Sequence, residues 1–151
     1  MNHEHYMRMA LEMARVAGIE GDVPVGCVVV DSGGGVVGRG RNRRESAKCA
    51  TAHAEMEAIA EACATIGDWR LSGCSMYVTL EPCPMCAGAA IISRIGKLFY
   101  GAAEETTGSC GSVINLFMEP YGSDAQITGG VLADECSALL SRFFENLRGA
   151  K

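Results

Sequence analysis

The sequence predicts a layered α/β domain. Short β-branched runs alternate along the chain with longer segments whose apolar residues recur at helical spacing. Glycine- or proline-bearing stretches punctuate the alternation. The length of 151 residues, with 48% hydrophobic and 21% charged, suits one soluble unit able to bury its own core. Residues 1–151 show no repeat, linker or low-complexity tract, so a single domain is expected.

His5 to Ala17 has the spacing of an amphipathic helix, with Tyr6, Met9, Ala10, Met13 and Ala17 on one face and Gly18 and Gly21 ending it. Val25 to Val30 is a β-branched run suited to a buried strand. Asp31-Ser32-Gly33-Gly34-Gly35 supplies a hairpin turn, and Val36 to Gly40 returns as a second strand. The triple glycine lacks the Lys-Ser/Thr of a phosphate loop. A second helix is predicted from Thr51, a capping residue, to about Ile66. Ser75 to Leu80 is a strand, and Glu81-Pro82-Cys83-Pro84 opens a third helix reaching about Arg94. Lys97 to Tyr100 and Gln126 to Thr128 read as strands on either side of a loop-rich segment, 101–123. Val131 to Leu147 is the last helix, with Leu132, Cys136, Leu139, Leu140, Phe143 and Leu147 on the buried side.

No apolar run approaches the ~20 residues of a membrane-spanning helix. Met1-Asn2-His3-Glu4-His5 lacks the charged-then-apolar pattern of a secretory signal, so a cytoplasmic protein without a membrane partner is expected. Of eight cysteines, only Cys83 and Cys86 form a close pair. The rest lie mostly among apolar neighbours, which favours packing or metal binding over a disulfide framework. The net charge of −5 does not advertise a nucleic-acid binder. Yet Arg39, Arg41, Arg43, Arg44 and Lys48 fall within ten residues, opposed in sequence only by Glu45. That cluster suits a solvated loop or a surface for phosphates.

Three histidines are present, and His3 and His5 fall in the first, expectedly mobile residues. His53 is the histidine expected to be held by the fold. It stands in Thr51-Ala52-His53-Ala54-Glu55, at the start of the second helix, while Cys83-Pro84-Met85-Cys86 starts the third. Two sulfurs three residues apart at a helix start can address one metal, and the positive end of the helix dipole favours their thiolates. One His and two Cys leave the fourth position of tetrahedral zinc to water, whose pKa zinc lowers from ~15.7 towards ~7. Glu55, two residues past His53, is placed to move protons there without ligating. A bare CxxC would also suit a redox pair or half of a four-cysteine structural site. The chain has no second CxxC, and neither alternative needs His53 or Glu55.

His-x-Glu followed by Pro-Cys-x-x-Cys is the pattern of zinc deaminases acting on nucleobases. The resemblance extends further. Val23-Pro24-Val25-Gly26, Gly40-Arg41-Asn42-Arg43, Thr51 to Glu55, Tyr77 to Ala89, Ser93-Arg94-Ile95-Gly96, Thr107 to Ser112 and Leu132 to Cys136 all resemble the bacterial tRNA-specific adenosine deaminases, of the zinc-dependent cytidine/deoxycytidylate deaminase superfamily. The resemblance implies a three-layer cytidine-deaminase-like fold, a mixed five-stranded sheet with helices on both faces, assembled as a homodimer. It implies conversion of the wobble adenosine of a tRNA anticodon to inosine. Carried over residue by residue, His53, Cys83 and Cys86 hold one Zn2+ per subunit, and Glu55 is catalytic. Asn42, Ala54 and Val25 bind substrate. Arg41, Arg43, Arg44 and Lys48 are candidate contacts to the anticodon arm, and Phe143-Phe144 with Arg148 and Lys151 resembles the helix that the family packs near RNA.

The chain departs from the family at Cys49-Ala50, where Asp-Pro is usual, and at Glu104 and Thr106, where an aspartate and a lysine are common. Ser123-Asp124 replaces an Asn-His pair. The zinc motif fixes the reaction and leaves the substrate open between a tRNA and a free base or nucleoside such as guanine or cytosine. A non-enzymatic zinc or RNA-binding protein would not need an intact Glu55.

Overall fold

The computed structural model describes residues 2–149. Their order is α1 (His3–Ile19), β1 (Gly26–Val30), β2 (Val36–Arg41), α2 (Ala54–Ile66), β3 (Ser75–Leu80), α3 (Pro84–Ile92), β4 (Lys97–Ala102), a 3-10 turn (Leu116–Met118), β5 (Gln126–Thr128) and α4 (Ala133–Gly149). The strands form one sheet in the order β2-β1-β3-β4-β5. β1 pairs antiparallel with β2 and β3, whereas β3, β4 and β5 run parallel. This is the mixed five-stranded sheet that the resemblance implies. The β1–β2 hairpin closes on Asp31, whose Oδ1 accepts from the amides of Gly33 at 3.0 Å and Gly35 at 2.9 Å.

Helices cover both faces because β1 is buried along its whole length. Its alternating side chains feed two cores. Cys27 and Val29 pack with Ala58, Ala62, Ala87 and Ala90 of α2 and α3. Val28 and Val30 pack with Met7 and Leu11 of α1, Tyr77 of β3 and Cys136 of α4. All eight cysteines are free thiols, four of the six outside the Cys83–Cys86 pair buried, as small core hydrophobes should be.

Several details differ from the sequence expectation. The inward face of α1 is Met7, Leu11 and Ala14 with Ala10 and Ala17, while Met9 and Met13 are only half-buried. The small residues Ala10, Ala14 and Ala17 seat against the sheet, and the long side chains on either side of them divide between core and rim. His3 is held rather than mobile. Its ring stacks on Phe99 at 4.2 Å, and its Nδ1 lies 2.7 Å from the Tyr77 hydroxyl. α2 begins at Ala54, not Thr51, because residues 43–52 form turns of their own through Arg43 N–H to the Ala52 carbonyl and Ala52 N–H to the Cys49 carbonyl. In α4 burial fades after Leu140, and Leu147 is exposed. That helix packs mainly on β4, with lesser contact to α1 and β3, and residues 145–149 are exposed. Lys151 lies outside the described residues.

Candidate active site

Two helix starts converge. His53 caps α2 and Cys83 caps α3, each with extended backbone and no side-chain capping bond, and Pro84 fixes the first turn of α3. His53 Nδ1 lies 3.7 Å from Cys83 Sγ and 3.6 Å from Cys86 Sγ, and all three donor atoms lie within 4.8 Å of one another. Ligands of a tetrahedral zinc with ordinary Zn–S and Zn–N bonds stand roughly 3.5–3.8 Å apart. The donor set and its spacing therefore fit zinc. The Cys83 thiol is held down at about 4, first by the Cys86 thiol and then by His53. Cys86, beside that thiolate and buried, is pushed up, since two adjacent sulfurs do not both ionise without a cation. His53 is raised, chiefly by Cys83.

Glu55 stands in the first turn of α2 and is 4% exposed. Burial lifts its carboxyl from 4.5 to about 7, where it can both take and give a proton near neutrality. Its helix can lie this close to the sheet because Gly40 of β2 has no side chain. A Cβ there would stand 2.0 Å from the Ala54 carbonyl oxygen and 2.8 Å from the Ala58 amide nitrogen.

His53, Glu55 and Cys83 open on a cavity of about 340 Å³ at the C-terminal end of β3. Val25, Asn42, Ala54 and Arg44 line it too, so all three residues expected at the substrate are there. Asn42 is oriented from both ends: its Nδ2 donates to the Val23 carbonyl at 3.1 Å, and its Oδ1 accepts from the Arg44 amide at 3.1 Å. One amide hydrogen of Asn42 is left for a ligand.

The basic segment is less free than its sequence suggests. Arg41 Nε pairs with Glu20 at 2.6 Å, and Arg43 Nε with Glu57 at 2.7 Å. Among the described residues Arg44 and Lys48 have no ion-pair partner, and of the four candidate cations only Arg44 lines the cavity. The segment's loop is pinned by buried Asp22, whose Oδ1 accepts from the Glu45 amide at 2.6 Å. Sequence reading missed Glu20 and Glu57 as partners because they are far along the chain.

Of the departures, Glu104 and Thr106 line the cavity. Cys49 is on the exposed loop, its thiol lowered by Thr51. Ser123-Asp124 is elsewhere: Asp124 borders a separate depression with Ser75 and Lys97, at the opposite ends of β3 and β4. Phe143 is half-buried, whereas Phe144 is 40% exposed and lines the cavity, edge-on to Phe143. Leu80, Glu81 and Thr107 of the wall fall inside the resembling segments Tyr77 to Ala89 and Thr107 to Ser112, which assign them no individual role. A carboxylate directly before Pro82-Cys83 is the signal that could have found Glu81.

Residues 1–102 match the family described as the cytidine and deoxycytidylate deaminase zinc-binding region. The chain is 45% identical over 149 residues to the tRNA-specific adenosine deaminase of Bacillus subtilis, covering 98% of this chain and 92% of that one. A solved structure of tRNA:A34 deaminases, studied for A-to-I editing at the wobble position of transfer RNA, superposes with a TM-score of 0.85 at 39% identity, over 89% of this chain and 98% of that one. The guanine deaminase from Nitrosomonas europaea is more distant, with a TM-score of 0.79 and 27% identity over 93% of this chain and 83% of that one. Sequence identity and superposition thus agree with the zinc-fitting donors at the cavity floor, and the chain belongs to the tRNA-specific adenosine deaminases of the zinc-binding cytidine and deoxycytidylate deaminase family.

Proposed function

We propose that this protein hydrolyses the wobble adenosine of a tRNA anticodon to inosine, with His53, Cys83 and Cys86 holding one zinc per chain and Glu55 moving the protons. The observation that carries the reading is the buried Glu55 carboxyl beside the His-Cys-Cys donors on the floor of a cavity walled by Val25, Asn42 and Ala54. About 340 Å³ admits a purine and part of its ribose, but not a base still stacked in a helix. The target must therefore be swung out, at modest cost in an anticodon loop.

Zinc in this site supplies a water nucleophile at neutral pH by lowering its pKa. In the net reaction a C6–O bond forms, the C6–N6 bond breaks, and ammonia leaves. Glu55 takes a proton from the attacking water, delivers it to ring N1, and relays a second to the departing nitrogen. Its elevated pKa suits both directions of transfer. Asn42, fixed by Val23 and Arg44, offers its remaining amide hydrogen to the purine edge. Arg44 supplies a cation at the mouth, and Phe144 offers an aromatic face to an unstacked neighbouring base.

The family resemblance supports a homodimer. Ile92 at the end of α3, with Val113, Ile114 and Met118 in and beside the 3-10 turn that packs on it, presents exposed apolar surface suited to a second copy. No helix among the described residues is long and apolar enough to cross a membrane, and a cytoplasmic location completes the reading.

The deciding experiment is nucleoside mass spectrometry after the zinc-loaded protein is incubated with an anticodon stem-loop carrying a wobble adenosine, beside parallel incubations with free guanine, cytosine, adenine and their nucleosides. Inosine in the stem-loop is expected. Ammonia from a free base with the stem-loop untouched would replace this reading with a free-base deaminase.

A further inference from the structure

We infer that Glu81 is a positioning residue that fastens the substrate-facing wall, residues 104–112, to the segment carrying the metal ligands; this inference rests on the tRNA deamination reading. Glu81 directly follows β3, immediately before Pro82 and Cys83, and is 2% exposed. A carboxylate so buried would ordinarily be expelled or paired with a cation. Here it has no cationic partner among the described residues. It is instead wrapped by one loop. Oε1 accepts from the Glu104 amide at 3.1 Å and from the Ser112 hydroxyl, while Oε2 accepts from the amides of Cys110 at 2.9 Å and Ser112 at 3.1 Å.

The loop is shaped to receive it. Gly108 lies directly over the carboxylate, where a Cβ would stand 2.5 Å from Glu81 Cδ and 2.3 Å from the Glu104 carbonyl oxygen. A further bond, Ser109 N–H to the Pro82 carbonyl at 2.9 Å, joins the loop to the residue next to Cys83. Glu104, Thr106 and Thr107 of this loop line the cavity together with Ala54 and Glu55 of α2. Glu104 is itself held, its Oε1 accepting from the Thr106 amide at 2.9 Å and the Thr106 hydroxyl at 2.7 Å. The loop that supplies Glu104, Thr106 and Thr107 to the cavity is thus gathered around a single carboxylate. Glu81 touches no reacting atom in this scheme. It acts through the wall, on what surrounds the target base.

Glu81→Gln tests this. Whichever way the new amide is turned, its NH2 faces at least one backbone N–H that now meets an acceptor. In the zinc-loaded protein the substitution is expected to leave metal content unchanged and speed hydrogen exchange in peptides spanning 104–112, with peptides of α2 unaffected. KM for the anticodon stem-loop should rise on the order of ten- to a hundredfold, with kcat little changed. Ser112→Ala removes one of the four bonds and should move exchange and KM in the same direction by less; it decides the matter if Glu81→Gln does not fold. Unchanged exchange in 104–112, or a fall in kcat at unchanged KM, overturns the inference. If the unsubstituted protein leaves the stem-loop untouched, the tRNA reading fails, and the exchange result still reports whether Glu81 holds the wall.

Discussion

Gly40→Ala is the sharpest test of how the fold places the chemistry. A Cβ at residue 40 would sit 2.0 Å from the Ala54 carbonyl oxygen, with Glu57 Cβ at 2.9 Å on the same side. An ordinary van der Waals contact begins near 3.4 Å, so the start of α2 must retreat by about 1.4 Å. The atoms in the way are backbone, and no side-chain rotation relieves them. The retreating turn is the one that carries His53 and Glu55, whereas Cys83 and Cys86 belong to α3 and stay. Overpacking of this kind costs about 1–3 kcal/mol of stability. A misplacement near 1 Å costs about a hundredfold in turnover. Gly88→Ala is the control: the position is in α3, nothing lies within 4 Å of its Cβ, and replacing a helical glycine should stabilise by about 0.5–1 kcal/mol. Thermal melts, zinc content and kcat on the stem-loop should be measured for both. A Gly40→Ala protein with unchanged melting temperature and unchanged kcat would refute the argument that this contact sets the distance between α2 and the sheet.

Glu55→Gln should keep zinc and the melting temperature while losing at least 100- to 10,000-fold in kcat, since it removes the proton carrier and not a ligand; substantial turnover would remove Glu55 from that role. Chelation of zinc should abolish activity and lower the melting temperature, because two helix starts lose the cation that neutralises Cys83 and Cys86, and adding zinc back should restore both; a melt insensitive to chelator would mean that no metal bridges α2 and α3. Arg44→Ala should reduce the slope of log binding affinity against log salt for the stem-loop by about 1. Arg41→Ala should change that slope less, because Arg41 exchanges Glu20 for a phosphate and releases fewer bound anions; equal effects at the two positions would show that Arg41 is not held by Glu20 in the free protein.

The layered architecture was legible because its signals are local. β1 alternates Cys27 and Val29 against Val28 and Val30, and the stretch reads as a strand whichever face is considered. The strands Ser75–Leu80 and Gln126–Thr128 start and stop where composition changes. The metal donors were legible for a related reason. Cys83, Cys86 and His53 are brought together by two helix starts, and helix starts have sequence marks such as Pro84. What composition could not convey was the orientation of a helix whose seat is made of small residues. α1 seats on Ala10 and Ala14, and the larger methionines at 9 and 13 stand half-buried at the rim of that contact. Leu147 illustrates the same limit at the other end of the chain. Helical spacing marks an apolar stripe, but whether a partner extends far enough to cover it depends on the length of the layer beneath.

Charge was the property least visible along the chain, and it bears most on function. Five cations within ten residues suggest a phosphate-binding ridge, yet two of them meet carboxylates from α2 and from just past α1. Their partners are contributed by long-range packing, which no local window registers. An exposed ion pair is worth little to stability and is readily exchanged for a phosphate. On the proposed reading, Glu20 and Glu57 would leave Arg41 and Arg43 available to RNA while muting their attraction for anions in general. Arg44, exposed at the cavity and without an ion-pair partner among the described residues, has no such attenuation. On the proposed reading, a polyanion that can displace two carboxylates at once would engage all three arginines, and a free base or nucleoside none beyond Arg44. Discrimination between a tRNA and a small substrate can then reside in the pairing of these arginines, even though the chain as a whole carries a net charge of −5.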